Sequence, residues 1–289
     1  VKVQLAIGTP VVTMTPGAHG AWEESASVED VARVAETADR LGYHHLTCSE
    51  HIALPAAELA RRGARYWDPL ATFGYLAART RRIRFATNVL VLPYHHPLEL
   101  AKRYGTLDVV SDGRVILGVG VGTLREEFDL IGAPYDDRGP RSDDALRALR
   151  AALSASKPSY QGDFYAFGDL VVDPCAVQAH VPIWVGGRTL RSLRRAAALG
   201  DGWCPFAVKP AQAEQWLRQV ELPADFTVVL PPAGGLDPVR EPRQTQDILA
   251  ATAAAGATVV AVTHACDTLG EYLDFIEALA AVNADLVDR

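Results

Sequence analysis

Several things are missing from this 289-residue chain, and each absence removes a class of function. No apolar run reaches the ~18 residues that a membrane-spanning helix needs, so no such span is predicted. Positive charge is not in excess: 28 Lys and Arg stand against 35 Asp and Glu, a formal net charge of −7. That balance argues against nucleic acid or an anionic membrane as partner. The arginine pairs Arg61-Arg62, Arg81-Arg82 and Arg194-Arg195 remain places for small local anion sites. Cysteine is sparse, and Cys48, Cys175, Cys204 and Cys266 show no CxxC spacing that would signal zinc or a redox pair. Reduced, mostly buried thiols in a cytoplasmic protein are expected. The N-terminal Val1 to Ile7 alternates like a strand and has no signal-peptide anatomy.

Familiar catalytic signatures are missing too. His44-His45 and His95-His96 lack the i, i+4 spacing of HExxH, and the first strand has no HxH, so no metal site is expected. There is no GxSxG elbow. The glycine run Gly118-Val119-Gly120-Val121-Gly122-Thr123 is not a Rossmann fingerprint, because it follows the fourth strand rather than opening the chain's first βα turn. No second domain, low-complexity segment or long repeat is visible.

What is present is alternation. Short β-branched runs at Val3–Ile7, His44–Cys48, Ile83–Val91, Val115–Val119, Pro182–Val185, Trp203–Phe206, Phe226–Leu230 and Thr258–Val262 read as eight strands. Helical patterns separate them. Ser27 caps one that stops at Gly42, Asp68-Pro69 and Pro97 open two more, and others cover Thr189–Leu199, Pro210–Val220, Arg243–Ala255 and Leu269–Ala280. Eight such units in this length predict an α/β fold, a closed (β/α)₈ TIM barrel forming a single domain over residues 1–289. The excess length is an insertion between strands four and five. From about Asp136 to Asp173 it holds a helix over Ser142–Ser154 and a hairpin, Tyr160–Phe167, turning at Gly162-Asp163. An insertion there is expected to form a lid or substrate-pocket segment.

A barrel of this kind carries its chemistry at the C-terminal ends of the strands. Two glycine clusters lie there, the run on strand four and the pair Gly186-Gly187 after Pro182-Ile183-Trp184-Val185. Glycines at strand ends let a backbone approach something flat or phosphorylated, since no Cβ intervenes. Glu50-His51, after strand two, is the one acid and imidazole pair at a strand end, a combination suited to general acid/base work. Adjacent residues on an extended chain point apart, so the two need not touch each other.

In order along the chain, several stretches resemble the luciferase-like monooxygenase superfamily, specifically its actinobacterial F420-dependent oxidoreductase branch. They are Ser49-Glu50-His51, Thr87-Asn88-Val89-Leu90, Ser111-Asp112-Gly113-Arg114 leading into the glycine run, Glu127-Phe128, Gly162-Asp163-Phe164-Tyr165, Ile183 to Gly187, and Gly200-Asp201-Gly202-Trp203. The family has aspartate more often than glutamate before the histidine. The resemblance implies a (β/α)₈ enzyme with coenzyme F420, or alternatively FMN, across the barrel mouth. Its catalytic residues would be His51, as proton donor or acceptor, and Glu50. Asn88 and Val89 would form a bulge behind the ring, often with a cis peptide. Gly120, Val121, Gly122 and Thr123 would run beside the ring, and Gly186 and Gly187 would cradle the phosphate, with Lys209 as a basic contact. Arg125, Arg138, Arg141 and Arg188 are candidates for an acidic polyglutamate tail. The implied activity is hydride transfer to or from a small organic substrate. Oxygen activation by FMN, or cofactor binding without turnover, are the alternatives, and a homodimer is the implied assembly. The Tyr66-Trp67 region, Tyr94 and the insertion would line the substrate pocket, which suits an apolar or aromatic ligand.

Overall fold

The computed structural model describes residues 3–285, so Val1 and Lys2 of the alternating N-terminal stretch lie outside it. In chain order the elements are β1 (Gln4–Gly8), α1 (Val28–Leu41), β2 (His45–Cys48), α2 (Leu59–Arg62), α3 (Pro69–Arg79), β3 (Arg84–Thr87), β4 (Leu90–Val91), α4 (Pro97–Val110) and β5 (Val115–Gly120). There follow α5 (Arg125–Ile131), α6 (Arg138–Ala152), β6 (Tyr160–Gln161), β7 (Ala166–Phe167), β8 (Ile183–Gly187), α7 (Leu190–Leu199), β9 (Gly202–Pro205), α8 (Pro210–Leu217), β10 (Thr227–Leu230), α9 (Pro242–Ala254), β11 (Val259–Val262) and α10 (Leu269–Ala284).

Eight of these strands close into a parallel barrel. Its cyclic order is β1, β2, β3, β5, β8, β9, β10 and β11, with β11 pairing back onto β1. The strand period of two separates two apolar layers. Ala6, Ala86, Ile116, Trp184, Cys204, Val229 and Val259 fill the barrel interior. Their neighbours Leu5, Ile7, Leu46, Phe85, Val115, Leu117 and Val185 face the helices in the larger core.

Local chemistry sets the element ends. Ser27 and Asp30 form a reciprocal capping box on α1, which stops at Gly42 with φ 80°. The insertion helix begins at Arg138, four residues before the expected Ser142. Pro140 falls within its first turn, where a missing N–H breaks no intrahelical bond. The expected hairpin is present, β6 pairing antiparallel with β7. It packs on α6 through Asp144, which accepts from the Tyr160 hydroxyl and from the amides of Phe164 and Tyr165.

Two stretches of the resemblance turn out to brace the barrel. Asp112 and Gly113 take left-handed φ values of 57° and 74°. The buried guanidinium of Arg114 then donates to the carbonyls of Ala77, Ile83 and Ser111 and to the Thr80 hydroxyl. Asp201 accepts from the Ile183 amide and from Arg150, and pairs with His180. Of the four thiols, Cys48 and Cys204 are buried while Cys175 and Cys266 are only partly so, and all are free. Among the described residues no helix is long and apolar enough to cross a membrane.

Candidate active site

The third strand breaks at its C-terminal end. β3 stops at Thr87, the Asn88–Val89 peptide is cis, and the chain resumes pairing with β5 at Leu90 and Val91. Residues at the end of β2 clamp this bulge. The Ser49 hydroxyl donates to the Asn88 carbonyl at 2.8 Å, and the Asn88 amide donates to the Cys48 carbonyl at 2.8 Å. Glu50 holds the far side: one carboxylate oxygen accepts from the Val91 amide at 2.7 Å, the other meets His95 Nε2 at 2.7 Å. Glu50 lines the cavity at the barrel mouth, yet both its oxygens are engaged in fixing the bulge.

The bulge drives the Val89 side chain between the two glycine clusters. A Cβ on Gly120 would lie 2.8 Å from one Val89 methyl carbon, and a Cβ on Gly186 would lie 2.7 Å from the other. Both distances are too short for carbon contacts, so glycine at both positions lets valine seat there. The clusters meet because β5 and β8 are neighbours, with Val119 opposite Val185.

His51 and its neighbour Glu50 do not pair, as adjacent residues on an extended chain need not, and the imidazole meets Glu127 instead. Its Nδ1 lies 2.7 Å from Oε2 of Glu127, a side chain with 0% exposure on the first turn of α5. The other oxygen of Glu127 accepts from the amides of Ile52 at 2.6 Å and Ala53 at 3.2 Å, and the Tyr94 hydroxyl donates to Oε2 at 3.1 Å. Burial opposes ionisation of Glu127, but the hydrogen bond from His51, its charge and the two amides prevail and hold the carboxyl below its ordinary value. An ionised carboxylate only accepts, so His51 Nδ1 carries the proton and Nε2 is the nitrogen left for exchange. Burial, then the Glu127 charge, pushes the Tyr94 hydroxyl well above the usual phenol range, so it stays a donor. The Tyr66 ring closes edge-on to His51 at 4.5 Å between centroids.

At the opposite end the wall changes character. Gly187 has φ 131°, and a Cβ there would come 2.6 Å from the Ser192 Cβ, so the glycine is needed for chain path and helix packing. α7 begins just beyond, where a capping box satisfies the amides of Thr189 and Ser192 and leaves those of Leu190 and Arg191 without an intrahelical acceptor. Arg188, Arg191 and Arg195 line the cavity here. Arg195 is paired with Asp143, whereas Arg188 and Arg191 have no carboxylate partner among the described residues. Backbone donors at a helix start with free guanidinium groups make an anion site.

The resulting cavity has a volume of about 590 Å³. His51, Glu50, Asn88, Val89, Gly120, Val121, Gly122, Thr123, Gly186 and Gly187 all line it. Lys209 does not: it is exposed, at the N-cap of α8. Of the four rim arginines expected, Arg138 and Arg188 line the cavity, while Arg125 pairs with Asp136 and Arg141 with Asp137. Tyr66 and Tyr94 reach the cavity, but Trp67 lies in a groove against α1 and α3. The insertion contributes only Asp136 and the start of α6, because its hairpin is held on α6 by Asp144. Glu127 was visible only as part of a resembling stretch; nothing in the sequence separates it from the exposed Glu126 beside it.

Comparison with known proteins agrees with this fold. An uncharacterized protein of Mycobacterium tuberculosis is 30% identical over 200 residues, covering 65% of this chain and 69% of that protein. The coenzyme F420-dependent tetrahydromethanopterin reductase of Methanopyrus kandleri shares the fold, with a TM-score of 0.70 at 16% identity, covering 100% of this chain and 99% of that one. So does the oxygenating constituent of 3,6-diketocamphane monooxygenase from Pseudomonas putida, solved in complex with FMN, with a TM-score of 0.72 at 16% identity over 99% and 98% of the two chains. The model of the luciferase-like monooxygenase family matches residues 9–229, and the chain belongs to that family.

Proposed function

We propose that this protein is an F420-dependent oxidoreductase acting on a small organic substrate. The observation that carries the reading is the cavity's polarity: a proton-exchanging imidazole fixed by a buried carboxylate at one end, bare backbone in the middle, and unpaired cations at a helix start at the other. Such a cavity fits a planar ring with a phosphorylated side chain. The Val89 bulge would support the ring face, the segment Gly120 to Thr123 would flank it, and the amides opening α7 would receive the phosphate. Two unpaired arginines, Arg188 and Arg191, exceed what a single phosphate requires and favour F420 with its acidic tail over FMN. The second reading, an FMN enzyme, is favoured by the shared fold of the FMN-bound neighbour.

When bound, F420 would supply or accept the hydride. The protein's part is to position and to move a proton. Glu127 fixes the tautomer of His51, so Nε2 can take a proton from, or give one to, the substrate oxygen or nitrogen as the carbon changes oxidation state. Tyr66 and Tyr94 pack about the imidazole and limit water.

The test is a fluorescence titration of the purified protein with F420 and with FMN, followed by His51→Ala. F420 is expected to bind more tightly, and the variant to keep that affinity while losing about 100-fold or more in kcat. Binding of FMN alone overturns the cofactor assignment; an unchanged kcat overturns the role of His51.

A further inference from the structure

The arginine pair Arg61-Arg62, at the end of α2, is a sequence feature that the cofactor reading leaves unused. The structure separates its two members. The Arg61 side chain is 67% exposed, whereas that of Arg62 is 23% exposed and lines the main cavity. Both hold Glu58, whose Oε2 accepts from Arg61 Nη2 at 2.6 Å and from Arg62 Nε at 2.8 Å. These bonds keep the Glu58 carboxyl below its ordinary value, so the trio carries one net positive charge. Arg62 gives Glu58 only its Nε. Among the described residues its two terminal nitrogens have no acceptor.

The chain around Arg62 is fixed. Gly63 follows with φ 78°, and a Cβ there would lie 1.9 Å from the Met14 carbonyl oxygen, so glycine lets the two backbones pass. The Met14 amide then donates to the Arg65 carbonyl at 3.1 Å, and Thr13 bridges Tyr66. Arg65 is committed to the carbonyls of Glu23 and Glu24. The Tyr66 hydroxyl donates to the Arg62 carbonyl at 2.8 Å, while its ring packs edge-on to His51. One tyrosine therefore joins the arginine to the imidazole. Burial raises the hydroxyls of Tyr66 and Tyr94 more than any other influence, and at both Arg62 is the cation whose charge pulls the other way. The guanidinium thus belongs to the His51 end of the cavity, away from Arg188 and Arg191 beside α7.

What Arg62 can receive follows from what is already paired. Both oxygens of Glu50 are taken by Val91 and His95, and those of Glu127 by His51, Tyr94, Ile52 and Ala53. Asp136, the remaining carboxylate of the lining, pairs with Arg125. None of the three is left to neutralise Arg62. A guanidinium offers a carboxylate two parallel N–H bonds in a fixed fork, and the edge between the terminal nitrogens is the one Arg62 keeps free. One net positive charge with unmet donors, in a partly desolvated wall, favours a ligand with one negative charge.

We propose that the terminal nitrogens of Arg62 bind a carboxylate of the organic substrate, which makes the His51 end of the cavity a site for a small organic acid. This rests on the redox reading and deepens it. Tyr66 and Tyr94 supply aromatic walls for the body of the ligand, and Arg62 adds the requirement for an anion.

The experiment is isothermal titration of the full chain, saturated with F420, with three probes: phenylacetate, its neutral analogue phenylacetamide, and benzylphosphonate. Phenylacetate is expected to bind at least about tenfold tighter than the amide, the worth of a charge-assisted hydrogen bond. Arg62→Gln should bring phenylacetate down to the amide's affinity with F420 affinity unchanged. Arg62→Lys, which keeps the charge without the fork, should retain only part of the preference, and Arg61→Gln should retain all of it. Circular dichroism checks each fold; the comparison of acid with amide on the parent protein needs no variant. Equal binding of acid and amide, a phenylacetate affinity indifferent to Arg62→Gln, or no binding by any probe overturns the proposal. Benzylphosphonate held more tightly than phenylacetate through Arg62 overturns the choice of carboxylate. Parallel titrations without cofactor separate the two claims. Binding of phenylacetate that depends on Arg62, in a protein that takes neither F420 nor FMN, sinks the redox reading and leaves the acid site standing. F420 binding with phenylacetate indifferent to Arg62 does the reverse.

Discussion

Replacing Glu127 by Gln would test the arrangement around His51 without removing bulk. The amide oxygen can still accept from the Ile52 and Ala53 amides, but the atom facing His51 Nδ1 and the Tyr94 hydroxyl becomes an NH₂ donor. Tyr94 can rotate its hydroxyl to accept. His51 must give up its Nδ1 proton and accept instead, moving the proton to Nε2. Losing one charge-assisted bond at a fully buried site is worth about 1.5–3 kcal/mol, and for a chain of this size each kcal/mol is roughly 2–4 °C in Tm. A Tm fall of about 4–10 °C at pH 7 is therefore expected. The pH dependence has a definite sign. The folded carboxyl sits below its ordinary value of 4.5, so its contribution is complete above that value and is lost as pH falls through the folded pKa. The gap between parent and variant should stay constant from neutral pH down to about 4.5 and narrow below it. Urea denaturation followed by circular dichroism between pH 7 and 3.5 measures the gap, and ¹⁵N chemical shifts of His51 report the tautomer. Equal stability at pH 7, a gap that persists undiminished at the acid end, or an unmoved Nδ1 proton would refute the reasoning.

Gly118→Ala should be far more damaging than any substitution of a surface glycine. Its Cβ would lie 1.9 Å from the Thr87 carbonyl oxygen, a backbone atom that cannot step aside, so a loss of at least about 3 kcal/mol or a failure to fold is expected. Gly74→Ala is the control: it lies inside α3 with nothing within 4 Å, and should stabilise by about 0.5–1 kcal/mol in the same denaturation assay. Thiol labelling should divide the cysteines. Cys48 and Cys204 are buried, and burial pushes each thiol up to about 12, so iodoacetamide at pH 8 should modify only Cys175 and Cys266 until urea is added, as counted by intact mass.

The barrel was legible because its signals are local and repeated. Strand alternation, Ser27 and Asp68 as caps, Gly42 as a stop and the turn at Gly162-Asp163 each act within a few residues, and each appears where the pattern placed it. The glycine clusters were legible as strand-end glycines and the Asn88–Val89 bulge through resemblance, and the structure supplies a reason for Gly120 and Gly186 in the Val89 methyl groups. Pairings over long sequence separations were not legible. The bond from His51 to Glu127 crosses 76 positions, and Glu126 and Glu127 look alike until α5 turns one to solvent. Lys209 shows the converse. A cation after a strand end looks suited to a phosphate, but Lys209 is the exposed N-cap of α8 and does not line the cavity, whereas Arg188, just before α7, and Arg191, in its first turn, do.

β5, β8 and the break after β3 bring three backbone segments to one edge with almost no side-chain bulk between them except Val89. The contacts that hold the bulge come from the residues just after β2, Ser49 on the Asn88 carbonyl and Glu50 on the Val91 amide, and the residue following Glu50 is His51, the proton-exchanging group of the proposed function. Both carboxylate oxygens of Glu50 are taken by Val91 and His95, which leaves Glu127 as the carboxylate that meets His51.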